Sequence, residues 1–444
     1  MAELLGGELD SPRQALVYGF ATDHRQIKAG DAFLAIKGAN FDGHEFAQQA
    51  FKAGAVVVIA ERPVAAPHIL VSNLVEALAR FARELRSGFD GPVIGITGSA
   101  GKTTTKEFLA SALSPLGKIL KTEGNKNTEY TAPLMWASLE PDTKVVVVEM
   151  AMRGFDQIAH LASFASPDMG LITNVGYGHM EMVESREGIA RAKGELLCAL
   201  PEDGTAILWA EDDYVSTLRE MAGPRKVLTF GTSETADCRI ESYEPLDWQT
   251  ARVVGKVDGL AWEAKIPVLG RHIALNAAAA VLAAYLVGVE PAEAANHIHE
   301  AKLPPMRMEL REFNGATVLL DSYNASPPAV LAAIEALGEM KVDGRRFAVI
   351  GEMKELGEHT ERLHREVGQL LGHANLDQVL FYGEPMATFA REEAVSAGLP
   401  DKNAQIAYSI QDVRRFLEQL WPGDAALVKG SRALELEKAL ELAE

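Results

Sequence analysis

The segment GITGSAGKTTTKEF, residues 95–108, restricts the possible folds more than any other part of the sequence. It follows an apolar run at 93–96, so it lies where a buried strand would pass into a helix. Small residues there let main-chain N–H groups face a phosphate, while Lys102 supplies a positive charge and Thr103 a hydroxyl that can hold Mg²⁺. The strict G-x-x-x-x-G-K-[ST] spacing is missed, because Ile96 stands at its first glycine.

A glycine-containing turn that caps a helix, with Lys102 in solvent, would also fit these letters. However, a strand, a small-residue turn, Gly-Lys-Thr-Thr and an amphipathic helix follow one another directly, which favours a nucleotide phosphate site. The segment therefore predicts binding of ATP or GTP. It leaves open which group receives the phosphate.

The composition is that of an ordinary soluble protein. Lys and Arg number 43 and Asp and Glu 62, a formal net charge of −19, which argues against binding to nucleic acid or to an anionic membrane. The N-terminal MAELLGGELDSPRQ has no basic-then-apolar signal, and no apolar run reaches the length of a membrane span. Cys198 and Cys238 are the only cysteines, so neither a disulfide framework nor a cysteine metal site is indicated. We expect a monomer in the cytoplasm.

Strand-like and helix-like segments alternate along the chain, which predicts an α/β fold of three domains in series. Four of the five runs PVIGIT, KVVVVEM, MGLITNV, GTAILWA and KVLTFG are continuously apolar, as in a largely parallel sheet covered on both faces. Short β-prone runs with turn signals at 238–268 predict an antiparallel addition. Glycines and prolines near residue 90 and at 304–305 indicate the boundaries. The predicted domains are 1–90, 91–303 and 304–444.

Two predicted strands end in side chains that can bind a metal ion. Glu149 closes KVVVVEM, and the strand MGLITNV is followed by Asn174, His179 and Glu181. Ligands of open α/β sheets gather at the carboxyl ends of the strands. Taken singly, Glu149 would be a solvated carboxylate and His179 a structural histidine. Beside a phosphate loop, the two strand ends together favour a metal–nucleotide site.

Lys193 lies in REGIARAKGELL, a predicted helix on which a lysine would normally point into water. A buried lysine with a lowered pKa could instead react with CO₂ and form a carbamate, an anionic group that can bridge to Mg²⁺. The residues alone do not choose between these two states.

Ten motifs occur along essentially the whole chain: GITGSAGKTTTKEF, GNKNTEYTAP, VVVVEMAMRG, PDMGLITNVGYGHME, ARAKGELL, LGRHIALNAAAA, MRMEL, LLDSYNASP, VIGEMKELGE and LVKGSR. In content and order they resemble the Mur ligases, ATP-dependent amino-acid ligases that build the peptide of bacterial cell-wall precursors. The resemblance implies a three-domain α/β architecture. A small N-terminal domain would bind the UDP-sugar, a central P-loop ATPase-like parallel-sheet domain would bind ATP, and a C-terminal Rossmann-like domain would close over the nucleotide and bring the acceptor.

Within the family, DSYNASP and GEMKELGE are similar to the patterns of members that add D-alanyl-D-alanine. The resemblance implies that D-alanyl-D-alanine is joined to UDP-N-acetylmuramoyl-tripeptide through an acyl phosphate, with ATP and two Mg²⁺ ions. The alternatives are a related ligase of the diaminopimelate-adding or folylpolyglutamate type, or a P-loop regulator that only holds nucleotide. The third residue of the tripeptide, lysine or diaminopimelate, stays open.

The resemblance also implies roles for individual residues. The nucleotide set is Thr97, Gly98, Ser99, Ala100, Gly101, Lys102, Thr103, Thr104, Asn276, Arg307, Asp321 and Asn324. The metal set is Thr103, Glu149, His179 and carbamylated Lys193, and the catalytic set is Lys102, His179, Lys193 and Arg307. The sugar-nucleotide set is Asp23, Arg25, Lys37, Gly38, Asp42, Gly43, His44, Asn125 and Asn127. The acceptor set is Glu352, His364, Lys429, Ser431 and Arg432. One departure is GRHI, in which Ile273 replaces the asparagine of the family's GRHN.

Overall fold

The computed structural model describes residues 1–11, 15–38, 41–178 and 180–441, and it contains three largely parallel β-sheets. Their strands lie within 8–70, 93–266 and 309–429, and we call the parts of the chain built around the three sheets, with their flanking helices and loops, the N-terminal, central and C-terminal regions. The predicted α/β class is confirmed. The predicted boundaries at 90 and 303 fall in connections between sheets, and they stay predictions. Among the described residues, no helix has both the length and the apolar character needed to cross a membrane.

The N-terminal region consists of α1 (Ala2–Leu5), β1 (Glu8–Asp10), β2 (Gly19–Ala21), β3 (Asp31–Leu34), α2 (Ala47–Ala53), β4 (Val57–Ala60), β5 (His68–Leu70) and α3 (Leu74–Arg86). Its strand order is β1-β5-β4-β3-β2, and only β1 is antiparallel to its neighbour. Strands β3 and β4 are buried along their whole length, because helices and loops cover both faces.

The central region begins with β6 (Val93–Thr97), α4 (Lys102–Ala112), β7 (Lys118–Lys121), β8 (Thr143–Glu149), α5 (Gln157–Ala165), β9 (Met169–Ile172), α6 (Met180–Val183) and α7 (Arg186–Cys198). It continues with β10 (Thr205–Trp209), α8 (Val215–Ala222), β11 (Lys226–Gly231), β12 (Cys238–Pro245), β13 (Ala251–Val257), β14 (Leu260–Ile266), α9 (Arg271–Leu286) and α10 (Pro291–His297). The strand order is β14-β13-β12-β11-β10-β9-β6-β8-β7. The predicted antiparallel addition is confirmed as β12, β13 and β14.

The position of β6 explains why the site forms where it does. It pairs with β8 on one side and β9 on the other, all three in parallel. The segments that follow these three strands therefore meet at one edge of the sheet. Alanine-rich α9 packs against α4, the helix that follows β6, and small side chains allow that close approach.

The C-terminal region consists of β15 (Glu309–Phe313), β16 (Ala316–Asp321), α11 (Pro327–Glu339), β17 (Arg346–Gly351), α12 (Thr360–His373), β18 (Gln378–Tyr382), α13 (Met386–Ser396), β19 (Ala404–Ala407), α14 (Ile410–Leu417), β20 (Ala425–Lys429) and α15 (Lys438–Glu441). Its strand order is β15-β16-β20-β17-β18-β19, and only β15 is antiparallel. The carboxyl ends of β16 and β20 place Asp321 and Lys429 side by side.

Arg86, the last residue of α3, fastens the N-terminal region to the central one. Its Nε donates a hydrogen bond to Ala165 O at 3.1 Å and its Nη2 to Ser166 O at 3.2 Å. These carbonyls end α5 and have no partner within their own helix, so the guanidinium satisfies them.

Candidate active site

A cavity of about 820 Å³ lies between the central and C-terminal regions. The predicted residues that line it are Ser99, Ala100, Gly101, Lys102, Thr103, Thr104, Asn125, Asn127, Glu149, Asn276, Arg307, Asp321, Asn324, Lys429, Ser431 and Arg432. Members of the predicted nucleotide, metal, sugar-nucleotide and acceptor sets therefore line one common cavity. His179, which was assigned to the metal and catalytic sets, lies outside the described residues.

The phosphate loop needs glycine at both ends. Gly98 has a φ of +152°, and a Cβ there would lie 1.8 Å from Thr173 Oγ1. Gly101 has a φ of +82°, and a Cβ there would lie 2.6 Å from Asn276 Oδ1 on α9. Because the backbone approaches its neighbours this closely, N–H groups rather than side chains form the surface at the start of α4.

The segment that follows β9 holds this loop in place. Ser99 N donates to Asn174 O and Ala100 N to Asn174 Oδ1, both at 3.0 Å. Asn174 Nδ2 returns a bond to Ala100 O at 3.1 Å, and Gly176 N donates to Ser99 Oγ at 2.8 Å. Asn174 is thus a residue that organises the loop.

Lys102 folds back over the loop, where its Nζ donates to Gly98 O at 2.7 Å. Burial lowers the pKa of Lys102, Glu149 opposes that shift, and Arg307 adds to it. Glu149 and Arg307, which carry opposite charges, therefore both lie near the Lys102 ammonium.

Glu149 is almost completely buried at the end of β8. Its Oε1 accepts hydrogen bonds from Thr103 Oγ1 at 3.1 Å and from Asn127 Nδ2 at 2.7 Å. Its Oε2 has no hydrogen-bond donor within the described residues, although Lys106 Nζ lies 3.3 Å away. A buried carboxylate beside a threonine hydroxyl offers oxygen ligands that suit a hard cation. In the described part of the chain, no cluster of three or more His, Cys, Asp and Glu side chains is arranged to hold a metal.

Lys193 on α7 is only 1% exposed, so the interpretation of a solvated lysine is wrong. Burial places the pKa of Lys193 well below its usual range, and the positive charge of Lys102 lowers it further. The amine is therefore close enough to the phosphate loop for the charge of Lys102 to affect its pKa. Its neutral form is the one that the site favours.

Arg307 reaches the phosphate loop from the C-terminal region. Its Nη2 donates to Thr103 Oγ1 at 3.3 Å, and its guanidinium stacks 4.1 Å above the ring of Tyr323. The flanking Met306 and Met308 have φ values of +62° and +51°, a conformation that costs energy for a side chain of this size. This strained turn aims the guanidinium at Thr103. Sequence reasoning missed Tyr323, although it lies in the DSYNASP motif.

Buried Lys429 and partly buried Asp321 form an ion pair at the far wall of the cavity. Lys429 Nζ donates to Asp321 Oδ2 at 2.6 Å and to Asn324 O at 2.9 Å. The ammonium of this predicted acceptor residue is therefore hydrogen-bonded to two residues of the predicted nucleotide set. His272 lines the same wall and was missed. Burial lowers the pKa of His272 to about 4, opposed by Asp321 and helped by Lys429. Its Nδ1 has no partner among the described residues.

The acceptor set divides into two groups. Ser431 and Arg432 line the cavity, whereas Glu352 and His364 do not. Both ring nitrogens of His364 are occupied: Nε2 accepts from Met353 N at 2.9 Å and Nδ1 lies 2.7 Å from Thr360 O. Glu352 forms an ion pair with Lys354. His364 lies on α12 and is placed as a structural residue that holds the preceding loop at Met353.

The sugar-nucleotide residues of the N-terminal region lie away from this cavity, in two capped turns. Asp23 caps the turn at His24–Gln26, and Asp42 caps the turn at Gly43–Phe46. The His24 and Phe46 rings stack at 4.4 Å, which joins the two turns.

Charge pairing further fixes these turns. Hydrogen bonds from Arg25 lower the pKa of Asp23 to about 2. Hydrogen bonds from His44 hold the pKa of Asp42 far below its usual range, and His44 Nδ1 lies 2.6 Å from Asp42 Oδ1. The backbones of Lys37 and Asp42 pair in an isolated antiparallel β-bridge, and Gly38 packs under the Phe41 ring.

Comparison with known proteins places this site in a family. Three domain models match: "Mur ligase family, catalytic domain" at 17–86, "Mur ligase middle domain" at 96–284 and "Mur ligase, glutamate ligase domain" at 306–432. The UDP-N-acetylmuramoyl-tripeptide–D-alanyl-D-alanine ligase of Bacillus subtilis is 33% identical over 449 residues, covering 99% of this chain and 96% of the relative.

Two solved structures are also similar over nearly their whole length. MurF from Acinetobacter baumannii is 28% identical with a TM-score of 0.88, covering 99% of this chain and 96% of that one. The MurF ligase from Thermotoga maritima in complex with ADP is 32% identical with a TM-score of 0.82, covering 99% and 98%. The chain belongs to the Mur ligase family.

Proposed function

We propose that this chain is an ATP-dependent ligase that joins D-alanyl-D-alanine to UDP-N-acetylmuramoyl-tripeptide, a step in peptidoglycan precursor synthesis. The observation that carries the proposal is the cluster of Thr103, Glu149 and Arg307 at the phosphate loop, in a cavity lined by two regions of the chain. The Bacillus subtilis relative bears this activity in its name, and the ADP in the Thermotoga maritima structure supports ATP as the nucleotide.

The chemistry requires activation, because a carboxylate oxygen is a poor leaving group. In the proposed reaction, the terminal carboxylate of the tripeptide attacks the γ-phosphorus of ATP, ADP leaves, and an acyl phosphate forms. The free amine of D-alanyl-D-alanine then attacks the acyl carbon. The C–O bond to phosphate breaks, and phosphate departs with one former carboxylate oxygen.

The electrostatic obstacle is the meeting of two anions. Two like charges about 4 Å apart repel by about 4 kcal/mol at an effective dielectric constant near 20. Within the described residues, neither Lys102 nor Arg307 hydrogen-bonds to a carboxylate. Both cations are therefore free to stabilise the phosphate charge as the carboxylate approaches, and they stand at the loop before the substrates arrive.

Mg²⁺ fits this site because the Glu149 carboxylate and the Thr103 hydroxyl lie side by side at the phosphate loop, and hard oxygen ligands of this kind suit the ion. We assign Thr103 and Glu149 to one ion, and Lys193 as its carbamate, with His179, to a second. Bound Mg²⁺ would neutralise charge on the phosphate oxygens. The carbamate is supported by the burial of Lys193, because only the neutral amine reacts with CO₂ and its lowered pKa favours that form.

The other substrates are assigned to the edges of the cavity. Asn125 and Asn127 line the wall beside Glu149, where the activated carboxylate must arrive, and Ser431 and Arg432 line the C-terminal wall, where the dipeptide would enter. The two capped turns of the N-terminal region are assigned to the uridine nucleotide. Arg307 and the cavity wall from the C-terminal region would exclude water, which otherwise hydrolyses an acyl phosphate.

The proposal is tested by ADP release from the purified chain with ATP, Mg²⁺ and UDP-N-acetylmuramoyl-tripeptide, measured with a panel of acceptors. D-alanyl-D-alanine should stimulate ADP formation strongly, whereas diaminopimelate and L-glutamate should not. Equal stimulation by another acceptor would indicate a different ligase of the family. ADP formation that ignores every acceptor would contradict ligase activity.

A further inference from the structure

Lys106 is a completely buried lysine that none of the roles above uses. It lies one helical turn after Lys102 on α4, and its relative exposure is 0%. An ammonium group is costly to bury unless charged and hydrogen-bonding partners surround it. The identity of those partners therefore indicates what Lys106 does.

Three oxygen atoms surround the Lys106 ammonium. Its Nζ donates to Gly124 O at 2.8 Å, and it lies 3.3 Å from Glu149 Oε2 and 3.4 Å from Glu107 Oε1. Glu107 is itself paired with Lys121, which is partly exposed. Opposite charges thus alternate from the surface through Lys121, Glu107 and Lys106 to Glu149.

Gly124 lies in the middle of the segment 122–127, which follows β7. The ends of this segment are held by Glu149: its N–H donates to Thr122 Oγ1 at 2.9 Å, and its Oε1 accepts from Asn127 Nδ2 at 2.7 Å. The hydrogen bond from Lys106 Nζ to Gly124 O holds the middle of the segment. The same segment carries Asn125 and Asn127 to the cavity wall.

We propose that Lys106 is a positioning residue, which ties segment 122–127 to Glu149 and so fixes Asn125 and Asn127 where the peptide substrate must bind. It touches no substrate itself and acts through the geometry of this segment. The predicted effect on catalysis rests on the proposed ligase function. The attachment of segment 122–127 to Glu149 through Lys106, which we call the tie, does not. Loss of the tie should weaken productive binding of the peptide substrate more than binding of ATP.

A purely electrostatic role, in which Lys106 only compensates Glu149, predicts a different pattern. Three variants that differ from one another only at Lys106 separate the two roles: Glu107→Gln, Lys106→Met/Glu107→Gln and Lys106→Gln/Glu107→Gln. The methionine variant has one lysine and one glutamate left in the cluster of Lys106, Glu107, Lys121 and Glu149, so the cluster keeps a net charge of zero. Relative to Glu107→Gln it loses both the hydrogen bond to Gly124 O and the ion pair with Glu149 Oε2, whereas Lys106→Gln/Glu107→Gln loses the charge but keeps a donor for Gly124 O.

The tie is measured first by hydrogen–deuterium exchange of the chain without ligands. Relative to Glu107→Gln, the methionine variant should exchange the amides of 122–128 about tenfold faster, with β6 unchanged. In the ligase assay its KM for UDP-N-acetylmuramoyl-tripeptide should rise about tenfold, with the KM for ATP changed by less than about threefold. Lys106→Gln/Glu107→Gln keeps a donor for Gly124 O and should lie closer to Glu107→Gln than to the methionine variant, whereas an electrostatic role alone predicts that the two double variants behave alike. Should the methionine variant fail to fold, the glutamine variant is compared directly with Glu107→Gln, and only an electrostatic role predicts the full tenfold change.

Unchanged exchange in 122–128 overturns the proposal, as does an equal rise of both KM values or a fall in kcat alone. A wild-type chain that exchanges slowly in this segment but shows no ligase activity would count against the proposed function and leave the tie supported. The two failures are therefore distinguishable.

Discussion

Thr103 Oγ1 donates a hydrogen bond to Glu149 Oε1 at 3.1 Å, across 46 residues of sequence. Thr103 lies in the first turn of α4 and Glu149 ends β8, so this bond joins the phosphate loop to the neighbouring strand. Arg307 donates to the same hydroxyl at 3.3 Å from the C-terminal region. The proposed nucleotide and metal residues Thr103 and Glu149 thus meet Arg307 of the C-terminal region at one threonine hydroxyl.

Glu149→Gln should abolish most activity. The amide keeps the shape of the side chain but removes the charge that would hold a divalent cation, and kcat/KM for ADP release should fall at least about 100-fold. Glu140→Gln, on the exposed ion pair with Lys118, is the matched control and should behave as wild type. A Glu149→Gln enzyme within about threefold of wild type would remove Glu149 from the site.

Arg307→Lys should lower kcat/KM about 100-fold, although the charge is kept. A lysine cannot both stack on Tyr323, as the guanidinium does at 4.1 Å, and reach Thr103. The measurement is steady-state ADP release with ATP varied. Arg311→Lys, on an exposed residue of β15, serves as the control. Equal rates for Arg307→Lys and the control would show that only charge is needed at this position.

Lys193 should carry a carbamate. Its burial lowers the pKa of the amine and so favours the neutral form, which can add to CO₂ and lose a proton. The chain equilibrated with ¹³C-bicarbonate and Mg²⁺ should show a protein-bound carbamate carbon by NMR. The signal should be missing from Lys193→Arg and present in Lys144→Arg, a control on the exposed side of β8. A signal that survives in Lys193→Arg belongs to another amine.

His272 should make the chain less stable in acid. Its pKa in the folded state is about 4 against an ordinary 6.5, because burial disfavours the charged ring. Between pH 6.5 and pH 4 the unfolded chain therefore binds a proton at this ring that the folded chain does not bind. The free energy of unfolding falls as the pH falls from 6.5 toward 4.

In His272→Gln this loss is absent. Urea denaturation at about pH 7 and about pH 4.5 should show that wild type loses about 2 kcal/mol more than His272→Gln between the two conditions. His373→Gln, at the exposed end of α12, should lose as much as wild type. Identical losses in His272→Gln and wild type would mean that this ring is solvated.

Local patterns predicted the framework of the site well. Continuous apolar runs give the strands β6, β8 and β9, since only covered parallel strands tolerate them. The glycines of the phosphate loop and the position of Glu149 follow from the same local rules, so the cluster at Thr103 could be anticipated.

Contacts between distant segments could not be predicted in this way. The pairing of Lys429 with Asp321, the Tyr323 ring beneath Arg307 and the partly buried His272 each depend on how regions pack together. The sequence motif around His364 does not reveal that both ring nitrogens face backbone groups of its own loop and helix. Lys106 shows the same limit, because helical spacing alone does not tell that its ammonium meets Gly124.

Oxygen transfer tests the central claim most directly, since the claim is that ATP activates the tripeptide carboxylate as an acyl phosphate. UDP-N-acetylmuramoyl-tripeptide labelled with ¹⁸O in both terminal carboxylate oxygens is turned over with ATP and D-alanyl-D-alanine, and the inorganic phosphate is analysed by mass spectrometry. The account predicts one ¹⁸O atom in each phosphate released and one retained in the new amide. Phosphate without label, formed together with the peptide product, would contradict it.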